Sequence, residues 1–493
     1  MNILGISAGF HDAAASIISP QGDILFAAHS ERYSKVKNDA RINIDLVREL
    51  SKYDIDTIAY YERPWLHNVQ KIISGQRPFG PWRAKTALEE QLGRRFVQGK
   101  QIASFPHHLS HAAAGFQTSP FDQAAVVVID AIGELDTISI FHAEFDADDR
   151  AYYRRVWHQK YPHSIGLFYS ALTERVDLVP MEEEYITMGM AAYGNGRILY
   201  PSLKETFLKS IDHVKFFDNL HLGMAPDWAV GHRWEDMAAA GQQLTEQMIM
   251  QVMRLAKKLT GLNNVVFGGG VALNCVANRL LGRVFKHAWI VPNPGDAGSS
   301  LGAAALVNGR RLHWRDAYLG TLIDGEYPCD NIIRQLLDTG IVGVASGRAE
   351  FGPRALGNRS LLADPRGSTI KDRVNAIKRR QKFRPFAPAI LEEVAHQYFD
   401  FSPGWNNSRY MQSIARCRHP DLFPAICHVD GTSRVQTVPA DGSGFRQLLE
   451  KWYEITDCPM LLNTSLNVRG EPMVNTRQDA DKFETIYNVK VLS

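Results

Sequence analysis

Two stretches far apart in the chain repeat one pattern of strand, small-residue turn and strand, and this repetition constrains the fold most. The predicted strands are residues 2–7, 14–18 and 24–28 in the first stretch, and residues 126–130 and 137–141 in the second. Their turns, residues 9–12 and 130–133, combine acids with glycines. This pattern is typical of a duplicated nucleotide-binding architecture in which two phosphate loops face each other. Two unrelated hairpins with polar turns predict it equally, so both alternatives stay open.

The composition is that of an ordinary globular protein, with 493 residues, 45% hydrophobic and 22% charged. This length allows two or more domains. A net charge of +2 is too small to indicate a nucleic-acid partner by itself. The five cysteines lack C-x-x-C spacing, so neither a disulfide framework nor a thiolate zinc site is expected. No run approaches the roughly 18 apolar residues of a membrane span, and we expect a cytoplasmic protein without a membrane partner.

A histidine pair, His107 and His111, is spaced for one helical turn, which places both imidazoles on the same face. Two buried core histidines would have the same spacing. Asp130 and Asp296 each end an apolar run beside glycines, where an oxygen ligand or a neighbour of a phosphate is expected. The four residues are therefore candidates for a metal site.

A triple-glycine turn follows the predicted strand that ends near residue 267, and a long amphipathic helix, residues 235–259, precedes it. Gly268, Gly269 and Gly270 allow a nucleotide to approach the backbone, and a helix beginning near Asn274 would supply free N–H groups. A plain strand-to-helix turn is the alternative. The pattern loosens after residue 320, and we place a domain boundary near residue 326.

The C-terminal part places arginines in turns rich in glycine and proline, with asparagine, serine and threonine nearby. Guanidinium groups bind phosphate oxygens with two hydrogen bonds, and amides recognise a carboxamide, so a small phosphorylated ligand is expected. Surface salt bridges explain any one of these arginines. The residues concerned include Arg348, Arg354, Arg359, Arg384, Arg434 and Arg469, with Asn463.

A basic and aromatic segment between residues 65 and 101 carries arginines and lysines together with Trp65, Phe79 and Trp82. Such residues can follow a nucleic-acid backbone and stack on bases. A solvated helix face is the alternative, because Glu89 and Glu90 dilute the charge.

These strings resemble the carbamoyltransferase family that includes nodulation-factor, aminoglycoside and other antibiotic O-carbamoyltransferases. The resemblance covers nearly the whole chain, with the strings 268–274, 350–360, 384–388, 428–438 and 463–472 in order. It implies an α/β fold with a duplicated actin/hexokinase-like (RNase H-like) domain, residues 1–326, that binds ATP and a metal, usually iron. A YrdC-like α/β domain, residues 327–493, is implied to bind carbamoyl phosphate.

The resemblance also implies roles for individual residues. The implied ligands of Fe²⁺ or another divalent metal are His107, His111, Asp130 and Asp296. The residues implied to contact ATP with its Mg²⁺ are Gly133, Gly268, Gly269, Gly270 and Asn274. Those implied to hold carbamoyl phosphate are Arg354, Arg384, Arg434, Asn463 and Arg469.

The implied reaction has two steps: carbamoyl phosphate and ATP give carbamoyl-adenylate and pyrophosphate, and an acceptor hydroxyl then takes the carbamoyl group. An alcohol needs a base or a stabilising cation to react near neutral pH. His11, beside Asp12, is the candidate base or orienting group, with a histidine bonded within the phosphate loop as the alternative. Lys35 stands where the family keeps a basic residue and is a candidate to reach the anhydride.

The acceptor is open between a small hydroxylated metabolite, such as a sugar or antibiotic, and the hydroxymethyl group of a pyrimidine such as hydroxymethylcytosine in phage-type DNA. Two other functions compete on the same fold: a tRNA threonylcarbamoyl-adenosine-type transferase and a non-catalytic ATP-binding sensor. The carbamoyl-phosphate strings disfavour the first of these. A homodimer is one assembly state left open.

Overall fold

Residues 2–73, 77–78 and 80–493 are described by a computed structural model. The chain divides into two units, Met1–Ser30 with Ala40–Trp314, and Glu31–Asp39 with Arg315–Ser493. The predicted boundary near residue 326 lies inside the second unit, because strand Tyr318–Ile323 pairs there with strand Gly347–Glu350. The segment Glu31–Asp39 also belongs to the second unit, which the sequence did not indicate.

The secondary structure follows in chain order. The strands are β1 Asn2–Ser7, β2 Ala14–Ile18, β3 Ile24–His29, β4 Ile55–Tyr60, β5 Gln101–Ser104, β6 Gln123–Gly133, β7 Asp136–Phe145, β8 Ala151–Lys160, β9 Leu208–Ser210, β10 Lys215–Phe216, β11 Asn264–Gly268, β12 His287–Trp289, β13 Tyr318–Ile323, β14 Ile341–Ala345, β15 Gly347–Glu350, β16 Arg359–Ala363, β17 Ala387–Leu391, β18 Phe399–Phe401, β19 Ala415–Cys417, β20 Thr432–Ser433, β21 Gln436–Val438, β22 Met460–Ser465 and β23 Val491–Leu492. The α-helices are α1 Glu31–Ser34, α2 Ile44–Leu50, α3 Pro64–Ile73, α4 Ala84–Leu92, α5 Arg94–Val97, α6 His107–Phe116, α7 Ile165–Arg175, α8 Glu184–Met190, α9 Tyr200–Phe207, α10 Trp234–Thr260, α11 Cys275–Asn278, α12 Ser299–Asn308, α13 Cys329–Thr339, α14 Ile370–Ile377, α15 Ala395–Tyr398, α16 Gly444–Thr456 and α17 Arg477–Tyr487.

The first unit contains two five-stranded sheets with the same strand order and directions. The first sheet runs β3-β2-β1-β4-β5, and the second, from its other edge, runs β8-β7-β6-β11-β12. In both, the central strand is antiparallel to its hairpin partner and parallel to the strand on its other side. The predicted duplication is confirmed, and the topology is that of the actin/hexokinase-like fold. The long amphipathic helix is also confirmed as α10, one residue longer at each end than predicted.

Strand β6 is central because its sequence is apolar on both faces. Residues 124–129 are fully buried, as expected for a strand covered by helices on both sides. Asp130 comes at the point where this apolar run ends. Strand β11 pairs parallel with β6, so its glycine turn lies at the same sheet edge as Asp130. This pairing brings two predicted motifs together that are 140 residues apart in sequence.

The second unit is built on a six-stranded mixed sheet of order β21-β17-β22-β16-β14-β23. Strand β22 is antiparallel to both β16 and β17, and β21 is parallel to β17. Strands β16, β17 and β21 therefore begin at the edge where β22 ends. The α/β class of this unit is as predicted, while its YrdC-like character stays a prediction.

Two further observations concern the surface of the described residues. Among them, no helix combines the length and apolarity needed to span a membrane. In the basic and aromatic segment, Trp65 and Trp82 are about half exposed, and Arg83, Lys85, Arg94 and Arg95 are exposed. Phe79 and residues 74–76 of this segment lie outside the described residues.

Candidate active site

Helix α6 supplies two imidazoles to one buried point. It begins at His107, directly after Pro106, and both histidines are buried. Their one-turn spacing brings His107 Nε2 to 3.0 Å from His111 Nε2. At this distance the two nitrogens share either a proton or a cation, and the neighbouring anions decide which.

Two carboxylates complete what we call the donor cluster: His107, His111, Asp130 and Asp296. Asp130 Oδ2 lies 3.3 Å from His107 Nε2 and 3.2 Å from His111 Nε2. Asp296 Oδ1, from the turn before α12, lies at the same two distances, 3.3 and 3.2 Å. All four side chains are buried, and one ligand atom from each lies within 4.8 Å of the others. The structure thus brings the four predicted ligands together.

The geometry of the donor cluster fits a divalent cation. With metal–donor bonds of about 2.1 Å, donors are separated by about 3.0 Å at a right angle and about 3.4 Å at a tetrahedral angle. The observed separations of 3.0 to 3.3 Å fall in this interval. Two neutral imidazoles and two carboxylates also suit a borderline divalent ion.

Charges in the donor cluster balance in either of two ways. Burial disfavours every charge here, but Asp296 and Asp130 raise the pKa of His107, and the same carboxylates raise that of His111. His107 and His111 in turn hold the pKa of the Asp130 carboxyl group well below its usual range, and His107 and His11 do the same for Asp296. Two imidazole protons therefore neutralise the carboxylates, and a divalent cation would replace them at equal charge, with release of those protons.

His11 lies beside the donor cluster, as the duplicated-loop prediction requires. Its Nε2 is 3.7 Å from Asp296 Oδ2, and its Nδ1 is 3.1 Å from Asp12 Oδ2. Burial would lower the pKa of His11, but Asp296 and Asp12 together raise it to about 9. Asp12 has positive φ, 52°, in the tight β1–β2 turn. The paired carboxylates thus keep His11 protonated at neutral pH, which favours donation by this ring over proton abstraction.

The glycine turn touches the donor cluster through its backbone. Gly270 N donates to Asp130 Oδ1 over 3.3 Å. Gly269 requires its residue type, since its φ is +85° and an added Cβ would lie 2.2 Å from Ile129 O. A 3₁₀ turn, Gly270–Leu273, follows, and the predicted helix start near Asn274 is observed as the short α11, which begins at Cys275. The N–H group of Gly270 is engaged by Asp130 and not free.

Two other predicted nucleotide residues shape the site. Gly133 lies against α6, where an added Cβ would be 2.6 Å from His107 Cδ2 and 2.5 Å from His108 Cδ2. Asn274 exchanges two amide hydrogen bonds with Gln242, of 3.0 and 3.1 Å, and its Oδ1 accepts from Ala277 N at 3.0 Å. In this structure the Asn274 amide therefore holds the end of the glycine turn.

Lys35 belongs to the second unit, whereas His11 and Asp12 belong to the first. Its Nζ bonds Asp479 Oδ2 at 2.6 Å and Arg32 O at 2.7 Å. Asp479 is also the residue that closes the N-terminal cap of α17 with Thr476. The structure thus ties the Lys35 ammonium to the start of α17.

The predicted carbamoyl-phosphate residues meet at one edge of the six-stranded sheet. Strands β16, β17 and β21 begin at this edge, and β22 ends there. The loops at this edge carry Arg354 before β16, Arg384 before β17, Arg434 before β21, and Arg469 after β22. Arg469 is exposed and the other three are partly buried. Four arginines far apart in sequence therefore share one edge with Asn463.

Asn463 is the buried member of this set. Its Nδ2 donates to Ala355 O at 3.1 Å and to Gln436 Oε1 at 2.7 Å. Its Oδ1 is buried and accepts no hydrogen bond from the residues that the structure describes. The nearby Arg434 Nε is likewise a buried donor with no hydrogen-bond acceptor among them. One acceptor and one donor are thus left for a small polar ligand.

Sequence reasoning overlooked the role of Lys378. Its Nζ bonds two backbone carbonyls, Ser465 O at 2.5 Å and Asn467 O at 2.7 Å. Arg469 N in turn donates to Lys378 O at 3.0 Å. Burial, reinforced by Arg380 and Arg384, holds the pKa of Lys378 well below its ordinary value. Lys378 orders the loop that carries Arg469, and only its distant contacts reveal this.

Glu62 was also missed. It follows β4, and its buried carboxylate lies 3.7 Å from His107 Nδ1 and 3.6 Å from His67 Nδ1. Burial would raise the pKa of this carboxyl group, but the two imidazoles lower it to about 2. The available signal was an acid at the end of an apolar strand, the same signal that identified Asp130.

Close helix packing sets the distance between the two halves of the donor cluster. An added Cβ at Gly302 of α12 would lie 1.7 Å from Ser110 O of α6. We expect Gly302→Ala to force apart α6 and the Asp296 turn, lowering the free energy of unfolding by about 1–3 kcal/mol or more and the metal affinity at least about tenfold. Chemical denaturation and metal titration measure both.

Gly295→Ala is the matched control for Gly302→Ala. Gly295 adjoins Asp296, has negative φ, −79°, and an added Cβ there meets nothing within 4 Å. Its metal affinity and stability should equal those of the wild type. Equal loss in both variants would contradict the packing argument.

Comparison with known families assigns the class of this molecule. The family model described as Carbamoyltransferase N-terminus matches residues 55–305, and the one described as Carbamoyltransferase C-terminus matches residues 333–493. These two matches define the class as a group-transferring enzyme. The chain belongs to the carbamoyltransferase family.

The chain is also similar to individual proteins over most of its length. An uncharacterised protein of Synechocystis sp. is 33% identical, covering 97% of this chain and 93% of its own. Nodulation protein NolNO of Sinorhizobium fredii is 30% identical over 95% of this chain and 76% of its own. Nodulation protein NolO of Bradyrhizobium diazoefficiens is 34% identical over 76% of this chain and 75% of its own.

Solved structures are more distant. The activator of the 2-hydroxyisocaproyl-CoA dehydratase from Clostridium difficile, with bound ADPNP, is 15% identical and covers 62% of this chain and 94% of its own, with a TM-score of 0.36. A TM-score this low carries no argument about this chain.

Proposed function

We propose that the chain is an ATP-dependent O-carbamoyltransferase that forms a carbamoyl-adenylate and transfers its carbamoyl group to an acceptor hydroxyl. The sharing of Asp130 carries this proposal. Its Oδ2 faces both imidazoles of the donor cluster, while its Oδ1 accepts from Gly270 N in the glycine turn. A cation in the cluster and a nucleotide on the turn would then be neighbours, as adenylation requires.

Mass balance sets what the reaction releases. Carbamoyl phosphate loses its phosphoryl group to water, leaving carbamate and orthophosphate. A carbamate oxygen attacks the α-phosphorus of ATP, the bond to the bridging oxygen breaks, and pyrophosphate leaves. The acceptor oxygen then attacks the carbamoyl carbon, AMP leaves with the bonding electron pair, and a base takes the hydroxyl proton.

In the first unit, we assign the binding and charge-stabilising roles to the residues around the donor cluster. A divalent ion such as Fe²⁺ held there would supply Lewis-acid stabilisation of phosphate and alkoxide oxygens, with Mg²⁺ accompanying ATP. His11, protonated through Asp296 and oriented by Asp12, would donate to a phosphate oxygen. The small backbone of Gly269 would let the nucleotide approach.

In the second unit, we assign carbamoyl-phosphate binding to the sheet edge where β22 ends. Guanidinium groups of Arg354, Arg384, Arg434 and Arg469 would hold the phosphate. The buried Oδ1 of Asn463, which accepts nothing from the described residues, would accept from the carbamoyl NH₂ group. Lys35, which Asp479 holds in place, would be a further positive charge within the second unit.

The decisive test is pyrophosphate release by purified, metal-loaded protein. We expect release only when ATP and carbamoyl phosphate are both present, together with one orthophosphate per pyrophosphate. Each substrate omitted in turn is the control. Absence of release in the complete mixture would overturn the proposal, and nucleotide binding without turnover would indicate a sensor.

The acceptor is tested separately, with hydroxylated sugars, antibiotics, tRNA and hydroxymethylated DNA offered together with both substrates. Mass spectrometry identifies the acceptor that gains a carbamoyl group. We propose a hydroxyl acceptor, and the exposed Trp82 with its neighbouring arginines makes DNA one arm of the panel. Binding to DNA should weaken steeply with added salt, because phosphate contacts release counterions.

A further inference from the structure

We propose that Glu62 is a positioning residue of the metal site, holding the His107 imidazole so that Nε2 faces the donor cluster. This inference rests on the proposed metal site and goes beyond it, because Glu62 is not one of the four ligands. It contacts the cluster only through the far side of the His107 ring.

The geometry separates the two faces of this ring. Nε2 of His107 lies 3.3 Å from Asp130 Oδ2 and 3.3 Å from Asp296 Oδ1. Nδ1 points away from these carboxylates, and Glu62 Oε2 lies 3.7 Å from it. Glu62 is 7% exposed and His107 is 2% exposed, so water does not screen this contact.

The chemistry of a ligating histidine requires such a partner. When Nε2 binds a metal, Nδ1 carries the hydrogen, and a buried N–H group without an acceptor is costly. His107 Nδ1 has no partner within hydrogen-bond distance among the described residues. A ring rotation that closes the 3.7 Å separation by about 0.5–1 Å would make an ordinary hydrogen bond to Glu62.

A second imidazole fixes Glu62 from outside. His67 Nδ1, on α3, lies 3.6 Å from the same Oε2 atom. Glu62 thus lies between a buried ligand and a partly exposed histidine, and its carboxylate has one orientation that serves both. The arrangement is the carboxylate–histidine–metal relay that orients ligands in many metalloproteins.

The test compares metal affinities of Glu62→Gln and wild type by calorimetric titration with Fe²⁺ under anaerobic conditions and with Co²⁺. Loss of such a partner typically weakens binding about 10–100-fold, and this is the expected result for Glu62→Gln. The visible spectrum of the Co²⁺ protein should also shift at unchanged stoichiometry, which loss of stability alone would not produce.

Asp236→Asn is the matched control, since Asp236 is a buried carboxylate that accepts from Asn195 N and faces no imidazole of the cluster. Its metal affinity should be unchanged. If Glu62→Gln does not fold, Glu62→Asp serves instead, because it keeps the charge but shortens the reach, and it should bind metal several-fold more weakly.

The outcomes are distinguishable. Wild-type protein that binds neither ion at the donor cluster would overturn the proposed metal site itself. The other outcome is that the wild-type protein binds metal and Glu62→Gln, or Glu62→Asp where that variant is used, has the same affinity and spectrum. This result would overturn the role of Glu62 alone.

Discussion

Replacing His111 by Ala is expected to lower metal affinity by more than about 100-fold, beyond the range for losing a second-layer partner. The variant loses one of four donors from a fully buried site in which His111 Nε2 lies 3.2 Å from both carboxylates. Two buried carboxylates would then face a single imidazole. Formation of carbamoyl-adenylate, measured as pyrophosphate release, should fall to background.

Carbamoyl-phosphate binding should survive in His111→Ala. The donor cluster lies in the first unit, whereas the arginine loops lie in the second. Equilibrium binding of labelled carbamoyl phosphate measures this directly. General unfolding of His111→Ala would abolish both metal binding and carbamoyl-phosphate binding. Loss of metal binding alone therefore indicates a local effect.

His108→Asn is the matched control for His111→Ala. His108 is the buried neighbour on α6, but its Nδ1 bonds Ser139 Oγ at 2.8 Å and takes no part in the donor cluster. An asparagine amide can reproduce that bond, so metal content should remain close to wild type. Unchanged metal content in His111→Ala would refute the ligand assignment.

Local patterns predicted the elements whose residues carry their own signal. Strands β1, β2 and β3 were expected at nearly the observed bounds, because each alternates or runs apolar between turn residues. Asp130 and Asp296 were candidates because each ends an apolar run, and the family resemblance implied that they join the two histidines of α6. In these cases the apolar pattern of the sequence coincides with the residues that are buried in the structure.

Long-range partners could not be predicted in the same way. Segment Glu31–Asp39 lies between two elements of the first unit, yet Lys35 pairs with Asp479 of the second. The predicted boundary near residue 326 falls between β13 and its partner strand β15, and no local pattern records this pairing across α13 and β14. Glu62 and Lys378 were missed for the same reason, since their roles depend on contacts made only after folding.

Arg359 is a further case, because it belongs to the arginine-rich string that predicted phosphate binding. Its side chain is fully buried and, within the described part of the chain, makes hydrogen bonds only to backbone carbonyls. These bonds run to Ser346 O at 3.0 Å, Asn358 O at 2.8 Å, Thr321 O at 2.9 Å, and Asn475 O at 3.0 and 3.1 Å. All of its N–H groups are used within the second unit, so we assign it to stability and not to the ligand.

Replacing Arg359 by Met is therefore expected to lower the free energy of unfolding of the second unit by about 3–5 kcal/mol. The methionine fills part of the volume but leaves several buried carbonyls without donors, at about 1–3 kcal/mol each. Removal of a desolvated charge offsets part of this cost. Arg359→Lys keeps the charge but loses the planar guanidinium group. Its free energy of unfolding should lie between those of the wild type and Arg359→Met.

Urea denaturation followed by tryptophan fluorescence measures this change, and metal binding by the first unit reports whether that unit stays folded. Arg418→Met is the matched control, because Arg418 makes an exposed ion pair with Asp400 and should contribute under about 1 kcal/mol. A loss in Arg359→Met no larger than that of Arg418→Met would show that the carbonyls find other donors. The buried guanidinium of Arg359 would then contribute no more to stability than the exposed ion pair of Arg418.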